Sequence, residues 1–228
     1  MLGFILKKLF LDKERRVRSP GYTFRETLET VRRFTEKCAP DERWLVYDYV
    51  MDVVRWNLQY DLLTEVLYRS EHGVRSWPVY PFPLEYRDAA GKTHRWMDRL
   101  VETREVDLRK ECVLAVPWEK PRLLDAILNV GKYGFRFDAG NHRVFDFAPL
   151  GVCFVYGGHH SIAAAVRRRK GILYAEVCDV RQLFDHVDTD GEVWLSKHTG
   201  ERLGNVVDFR IAILYELARM RTTMGGGI

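Results

Sequence analysis

No stretch of the 228-residue sequence reaches the ~20 consecutive apolar residues that a membrane-spanning helix needs. The apolar start, residues 1–10, is broken by Lys7 and Lys8, and no small-residue cleavage site follows it, so a secretory signal is not expected. Cysteine is scarce: Cys38, Cys112, Cys153 and Cys178, with no C-x-x-C pair. That spacing speaks against a disulfide scaffold or a thiolate zinc site. All but Cys38 lie in apolar, strand-like surroundings, which reads as buried free thiols in a reducing, cytoplasmic compartment. Neither sign of charge dominates. Lys and Arg number 36 against 32 Asp and Glu, a net +4 that permits a nucleic-acid partner without demanding one. There is no internal repeat, no low-complexity tract and no dense carboxylate cluster. His72, His94, His186 and His198 show no partner spacing that suggests a metal.

What the chain does contain is an apolar content of 46%, enough for a sizeable core. The first hundred residues read as mostly helical. Thr23 with Glu26 forms a capping-box pattern that opens a helix running to about Cys38. Pro40 and Asp41 start a longer helix, with Trp44, Leu45, Val50, Val53, Val54, Leu58, Leu62 and Val66 at helical spacing. Between His72 and His94 three prolines, Pro78, Pro81 and Pro83, forbid a helix interior. That segment reads as extended, with a turn at residues 88–91 and a returning strand over 92–106.

From about residue 105 strands and helices alternate. The expected elements are a strand at 113–116, a proline-marked loop, a helix at 122–130 stopped by Gly131, and a hairpin pairing 135–138 with 143–146. A central strand at 151–156, a helix from His160 to Lys170 with Gly171 after its end, and a strand at 172–180 follow. Residues 181–204 read as irregular, with a small hairpin near Trp194, and 206–221 as an amphipathic helix. Residues 225–227 read as a disordered tail. The expected fold class is α+β: a helical N-terminal region, residues 1–104, packed on a C-terminal module, residues 105–228, with a mixed β-sheet.

The most informative stretch is Gly157-Gly158-His159-His160-Ser161. A buried strand ends at two glycines and a helix begins at once. Glycines let the backbone turn sharply and let a ligand approach. The first N–H groups of a helix have no internal partner and carry partial positive charge, which suits a phosphate. His159 and His160 at this mouth can donate to phosphate or exchange a proton near neutral pH; equally, they can simply cap the helix. Ala163, Ala164 and Ala165 keep the helix slim against the sheet.

This segment resembles the signature of the ParB/sulfiredoxin superfamily, in which a strand runs into a Gly-Cys-His-Arg or Gly-Glu-Arg-Arg turn and then an alanine-rich helix. The resemblance covers residues 105–182 and includes the order of the surrounding elements. It departs from that pattern at the turn. His159 stands where sulfiredoxins carry a catalytic cysteine, so cysteine-based sulfinic-acid reduction is not expected. His159-His160-Ser161 stands where ParB proteins carry Glu-Arg-Arg, so the arginine fork that grips a triphosphate is missing. No helix-turn-helix pattern follows. The turn is closest to the ParB-like nuclease branch and is similar there to plasmid fertility-inhibition factors. That resemblance implies ATP hydrolysis and DNA cleavage, and a target in a DNA-transfer apparatus.

The expected function is thus a nucleotide- or phosphate-binding hydrolase acting on ATP, DNA or both. His159, His160 and Glu119 are the catalytic candidates. Gly157, Gly158, Ser161, Lys120 and Arg122 are the phosphate-binding ones, and Mg2+ is the expected metal for phosphate chemistry. Arg167, Arg168, Arg169 and Lys170 are candidates for the DNA backbone, or else a solvated helix end. His142 and Asp179 are secondary candidates for the cleft. The rival expectation is a non-catalytic protein-binding inhibitor that keeps the fold.

Overall fold

The computed structural model describes residues 19–69, 77–97 and 102–223. The expectations for residues 1–10, His72, residues 98–101 of the returning strand and the tail at 225–227 lie outside them. The first helix, α1 (Pro20–Thr35), is capped by Ser19, whose hydroxyl oxygen accepts from the backbone N–H of Tyr22 at 3.2 Å. The expected capping box at Thr23 is displaced by one turn. Pro20 supplies the fixed φ of the first helical position, and Thr23 instead donates to the Ser19 carbonyl. A 3-10 turn at Pro40–Glu42 leads into α2 (Arg43–Tyr68), the long helix.

The hairpin β1 (Glu85–Arg87) and β2 (Thr93–Arg95) follows. β3 (Thr103–Asp107) belongs to a different sheet, so the single returning strand expected over 92–106 is two strands with different partners. The central sheet adds β4 (Cys112–Leu114), β5 (Arg143–Ala148), β6 (Val152–Gly157) and β7 (Ile172–Asp179) in the order β3-β7-β5-β6-β4. It is mixed: β5 runs antiparallel to β6 and parallel to β7, and β4 runs parallel to β6. Helices α3 (Lys120–Tyr133) and α4 (His159–Arg168) connect its strands.

Side-chain alternation along these strands splits the interior in two. Leu114, Phe145, Phe147, Val152 and Phe154 face a core shared with α1, α2 and the last helix, α5 (Phe209–Thr223). Val113, Val144, Cys153 and Val155 face a second core closed by α3 and α4. The class is α+β, with the helical N-terminal region packed on a mixed sheet. Ala163 and Ala165 are almost wholly buried in that second core, so α4 lies close on the sheet and its N-terminus is fixed at the end of β6.

Five local expectations are corrected. Helix α3 runs through Gly131 and ends at Gly134, with φ of 80°. A Cβ at Gly131 would stand 3.2 Å from the exposed Arg168 guanidinium, a contact that a small side-chain shift relieves. Residues 135–138 are not a strand. They lead into a turn closed by the His142 N–H donating to the Asp138 carbonyl at 2.7 Å, and β5 takes both its sheet partners from elsewhere. At the end of α4 the left-handed residue is Arg169, φ 50°, two positions before Gly171. Residues 187–205 are a three-stranded antiparallel sheet of β8 (Val187–Thr189), β9 (Val193–Ser196) and β10 (Arg202–Asn205). Helix α5 is not two-faced, because Ile211 through Ala218 are all buried. Among the described residues no helix is long and apolar enough to cross a membrane.

Candidate phosphate-binding turn

The strand–turn–helix junction is present where the sequence places it. Strand β6 ends at Gly157, Gly158 takes a left-handed conformation (φ 77°, ψ 27°), and α4 starts at His159. No side chain caps this helix, and residues 156–161 are half-buried. The glycines are required by the protein's own chain. A Cβ on Gly157 would lie 2.8 Å from the Asn141 carbonyl, and one on Gly158 would lie 2.5 Å from the His142 ring. The room that the glycines leave is filled by the 138–142 turn.

Three histidines converge here, and a backbone N–H fixes the tautomer of each. Val116 N–H donates to His159 Nδ1 at 3.1 Å, Glu119 N–H to His160 Nε2 at 3.2 Å, and Asp138 N–H to His142 Nδ1 at 2.9 Å. A ring nitrogen that accepts carries no proton, so the other nitrogen carries it. His159 therefore presents Nε2–H and His160 presents Nδ1–H. His142 donates Nε2–H to Ser161 Oγ at 2.8 Å, and Ser161 donates in turn to the Gly158 carbonyl at 3.0 Å. In this arrangement His142 holds Ser161 as a donor and does not act as its base.

Burial keeps the three rings neutral. It pushes His159 down to about 4, with neighbouring His160 adding to the effect. It also lowers His160, helped by Arg122 and opposed by Glu119, and lowers His142 against the pull of Asp138. The expected proton exchange near neutral pH thus gives way to a donor role.

The loop after β4 faces the turn. Trp118, half-exposed, packs in T-shaped contacts with both His159 and His160, with ring centroids 5.4 and 4.6 Å away. Glu119 is tied to Arg122 at 2.8 Å, while Lys120 is exposed at the start of α3. Arg167, Arg168, Arg169 and Lys170 are exposed at the far end of α4, about 15 Å along a ten-residue helix from the glycine turn. Arg169 lies over the Trp56 ring at 5.5 Å. Asp179 pairs with Arg181 and accepts from its backbone N–H, so it caps the 3-10 turn that follows.

Two clefts, of about 440 and 420 Å3, share His142 in their walls. The first includes Arg136, Asn141 and Ser161; the second includes Arg143, Tyr156, Tyr174 and Glu176. Tyr156 donates its hydroxyl to Glu176 at 2.6 Å and stacks on Phe145. Among the described residues no three His, Cys, Asp or Glu groups converge to hold a metal. Sequence reasoning missed the part played by Trp118, although it lies between Pro117 and Glu119 of a loop already singled out. It also missed the His142–Ser161 bond, which depends on the 138–142 turn folding over Gly158.

The fold and this turn define an α+β protein with an uncapped helix N-terminus ringed by neutral histidines. A sequence-family model described as a family of unknown function (DUF6710) matches residues 8–225, and the chain belongs to that family. No curated protein and no solved structure matches it.

Proposed function

We propose that the chain binds a nucleotide or another phosphate compound at the N-terminus of α4, as its resemblance to ParB-like proteins implies. The observation that carries the reading is the uncapped, half-buried start of α4, flanked by two imidazole N–H groups whose tautomers are fixed as donors. Neutral donors and helix N–H groups favour an anion without titrating near neutral pH. Exposed Lys120 and Arg122 add positive charge at the same mouth. Mg2+ would enter with the phosphates of ATP, since hard cations take oxygen ligands. Hydrolysis of ATP or DNA extends the proposal, with Glu119 as the acid–base group once released from Arg122. Arg167, Arg168 and Lys170 would meet the DNA backbone.

Calorimetry with ATP and with inorganic phosphate tests the binding. Lys120→Ala with Arg122→Ala, and separately His160→Ala, should each weaken it by ~1–3 kcal/mol. Parent-like binding in both variants removes the proposal.

A second reading, a non-catalytic protein-binding inhibitor aimed at a DNA-transfer apparatus, draws on α2. Leu45, Tyr49, Val53, Tyr60 and Leu67 stand exposed along that helix at spacings of four and seven, the period of a docking face. ATP turnover and plasmid nicking, measured with and without Mg2+, separate the two: the inhibitor reading predicts neither.

A further inference from the structure

Away from the turn, the three-stranded sheet brings together two histidines that lie twelve residues apart in the chain. His186 immediately precedes β8, and His198 lies in the turn between β9 and β10. The antiparallel register of β8 and β9 pairs Val187 with Ser196, and Lys197 N–H donates to the His186 carbonyl at 2.9 Å. Both rings are thereby held at one end of the sheet, with His186 Nδ1 and His198 Nε2 3.0 Å apart.

Burial, then His198, lowers the His186 pKa against the pull of Asp185 and Asp88. Tyr86 of β1 stacks on the His186 ring at 4.5 Å with an interplanar angle of 16°, and on His94 at 5.3 Å. His94 is itself fixed by Asp88 at 2.7 Å. The stack limits rotation of His186, and a ring already oriented loses little freedom when a metal binds.

We propose that His186 Nδ1 and His198 Nε2 form a two-imidazole site for a divalent transition-metal ion of the zinc class. Two nitrogens bound to one ion at about 2.0–2.1 Å lie about 2.9–3.4 Å apart, according to whether the geometry is octahedral or tetrahedral. The observed 3.0 Å falls within that span. No third His, Cys, Asp or Glu completes the set among the described residues. Imidazole selects zinc, copper or nickel over magnesium, which prefers oxygen. The bound ion would join the start of β8 to the β9–β10 turn.

Titration of the full chain with Zn2+ by calorimetry, with Mg2+ in parallel, tests the site. The expected result is saturable binding of Zn2+ and none of Mg2+ at this site. His198 is exposed in a turn, so His198→Gln should fold like the parent; this is checked by its thermal melt without metal. It should lose at least tenfold in Zn2+ affinity, as should His186→Ala. Cys38→Ser and His94→Ala should bind as the parent does. Parent-like Zn2+ affinity in His198→Gln overturns the proposal and leaves the 3.0 Å contact as a ring-to-ring hydrogen bond. A loss confined to Cys38→Ser overturns it equally.

Discussion

Val116 donates its backbone N–H to Nδ1 of His159 across 3.1 Å, joining the loop after β4 to the first residue of α4. Val116 is buried, with 5% of its surface exposed, so a lost acceptor would leave its N–H without water as a replacement. His159→Ala should cost ~1–3 kcal/mol. His159→Asn can place an amide oxygen close to where Nδ1 accepts and should recover part of that loss. Urea unfolding of the three proteins decides it, and equal stability of parent and alanine variant would deny the contact a structural role.

The same residue sets a pH dependence. His159 titrates near 6.5 in an unfolded chain and at about 4 in the fold. Above 6.5 neither state is protonated and the contribution is fully present. As pH falls from 6.5 towards 4 the unfolded chain takes up the proton first, so stability drops at ~1.4 kcal/mol per pH unit. The loss over the window is on the order of 3 kcal/mol, and lowered His142 and His160 act with the same sign. Unfolding free energies between pH 7.5 and 4 should show this slope, and His159→Asn should flatten it. An unchanged slope in that variant would assign the effect elsewhere.

Gly158 and Gly200 both have positive φ, 77° and 71°, but a Cβ would meet His142 at 2.5 Å in the first and nothing within 4 Å in the second. Gly200→Ala should therefore show only left-handed strain, ~1–2 kcal/mol. Gly158→Ala should cost distinctly more, because the 138–142 turn must move. Comparing denaturation midpoints separates strain from collision. Gly158→Val is for the same reason a poor probe of ligand access, since it disturbs the turn before any ligand arrives.

Cys112, Cys153 and Cys178 are buried, while Cys38 is partly exposed. Burial pushes the thiols of Cys112 and Cys178 up to about 12, and that of Cys153 well above its usual range. A thiol reagent at pH 8 should label one cysteine in the native protein, Cys38, and four in urea. Cys153→Ala should cost ~1 kcal/mol and leave phosphate binding intact. Rapid native labelling of more than one thiol contradicts this packing.

The strand, the two glycines and the alanine-rich start of α4 were legible because each is a local signal: an apolar run, a turn residue, a period. The same local logic misplaced the stop of α3 at Gly131, where the helix continues to the left-handed Gly134. It also paired β5 with residues 135–138, whereas β6 and β7 flank it. The hydrogen bonds that fix the tautomers of His142, His159 and His160 join residues distant in sequence or depend on a turn closing, and no spacing announces them. The His186–His198 pair is invisible for the same reason, since it exists only once β8 and β9 are in register. Helix α5 looked amphipathic because apolar residues recur along it at helical spacing, and its charged residues include Arg210, Glu216 and Arg219. Each of these is consumed in an ion pair, Arg210 with Asp61 and Asp208, and Arg219 with Asp188 and Glu216.

Helix α5 gives the chain an order of assembly. Phe24, Leu28, Met51 and Leu58 share their core with Ile211, Leu214 and Leu217, residues synthesised more than 150 positions later. While a ribosome is still making the intervening sheet, α1 and α2 have no such cover. Their inner faces must stay unsatisfied or be shielded by another protein until α5 emerges. Contacts so far apart in the chain close late and slowly. A nascent chain halted before residue 209 would therefore be expected to bind chaperones, where the completed one would not.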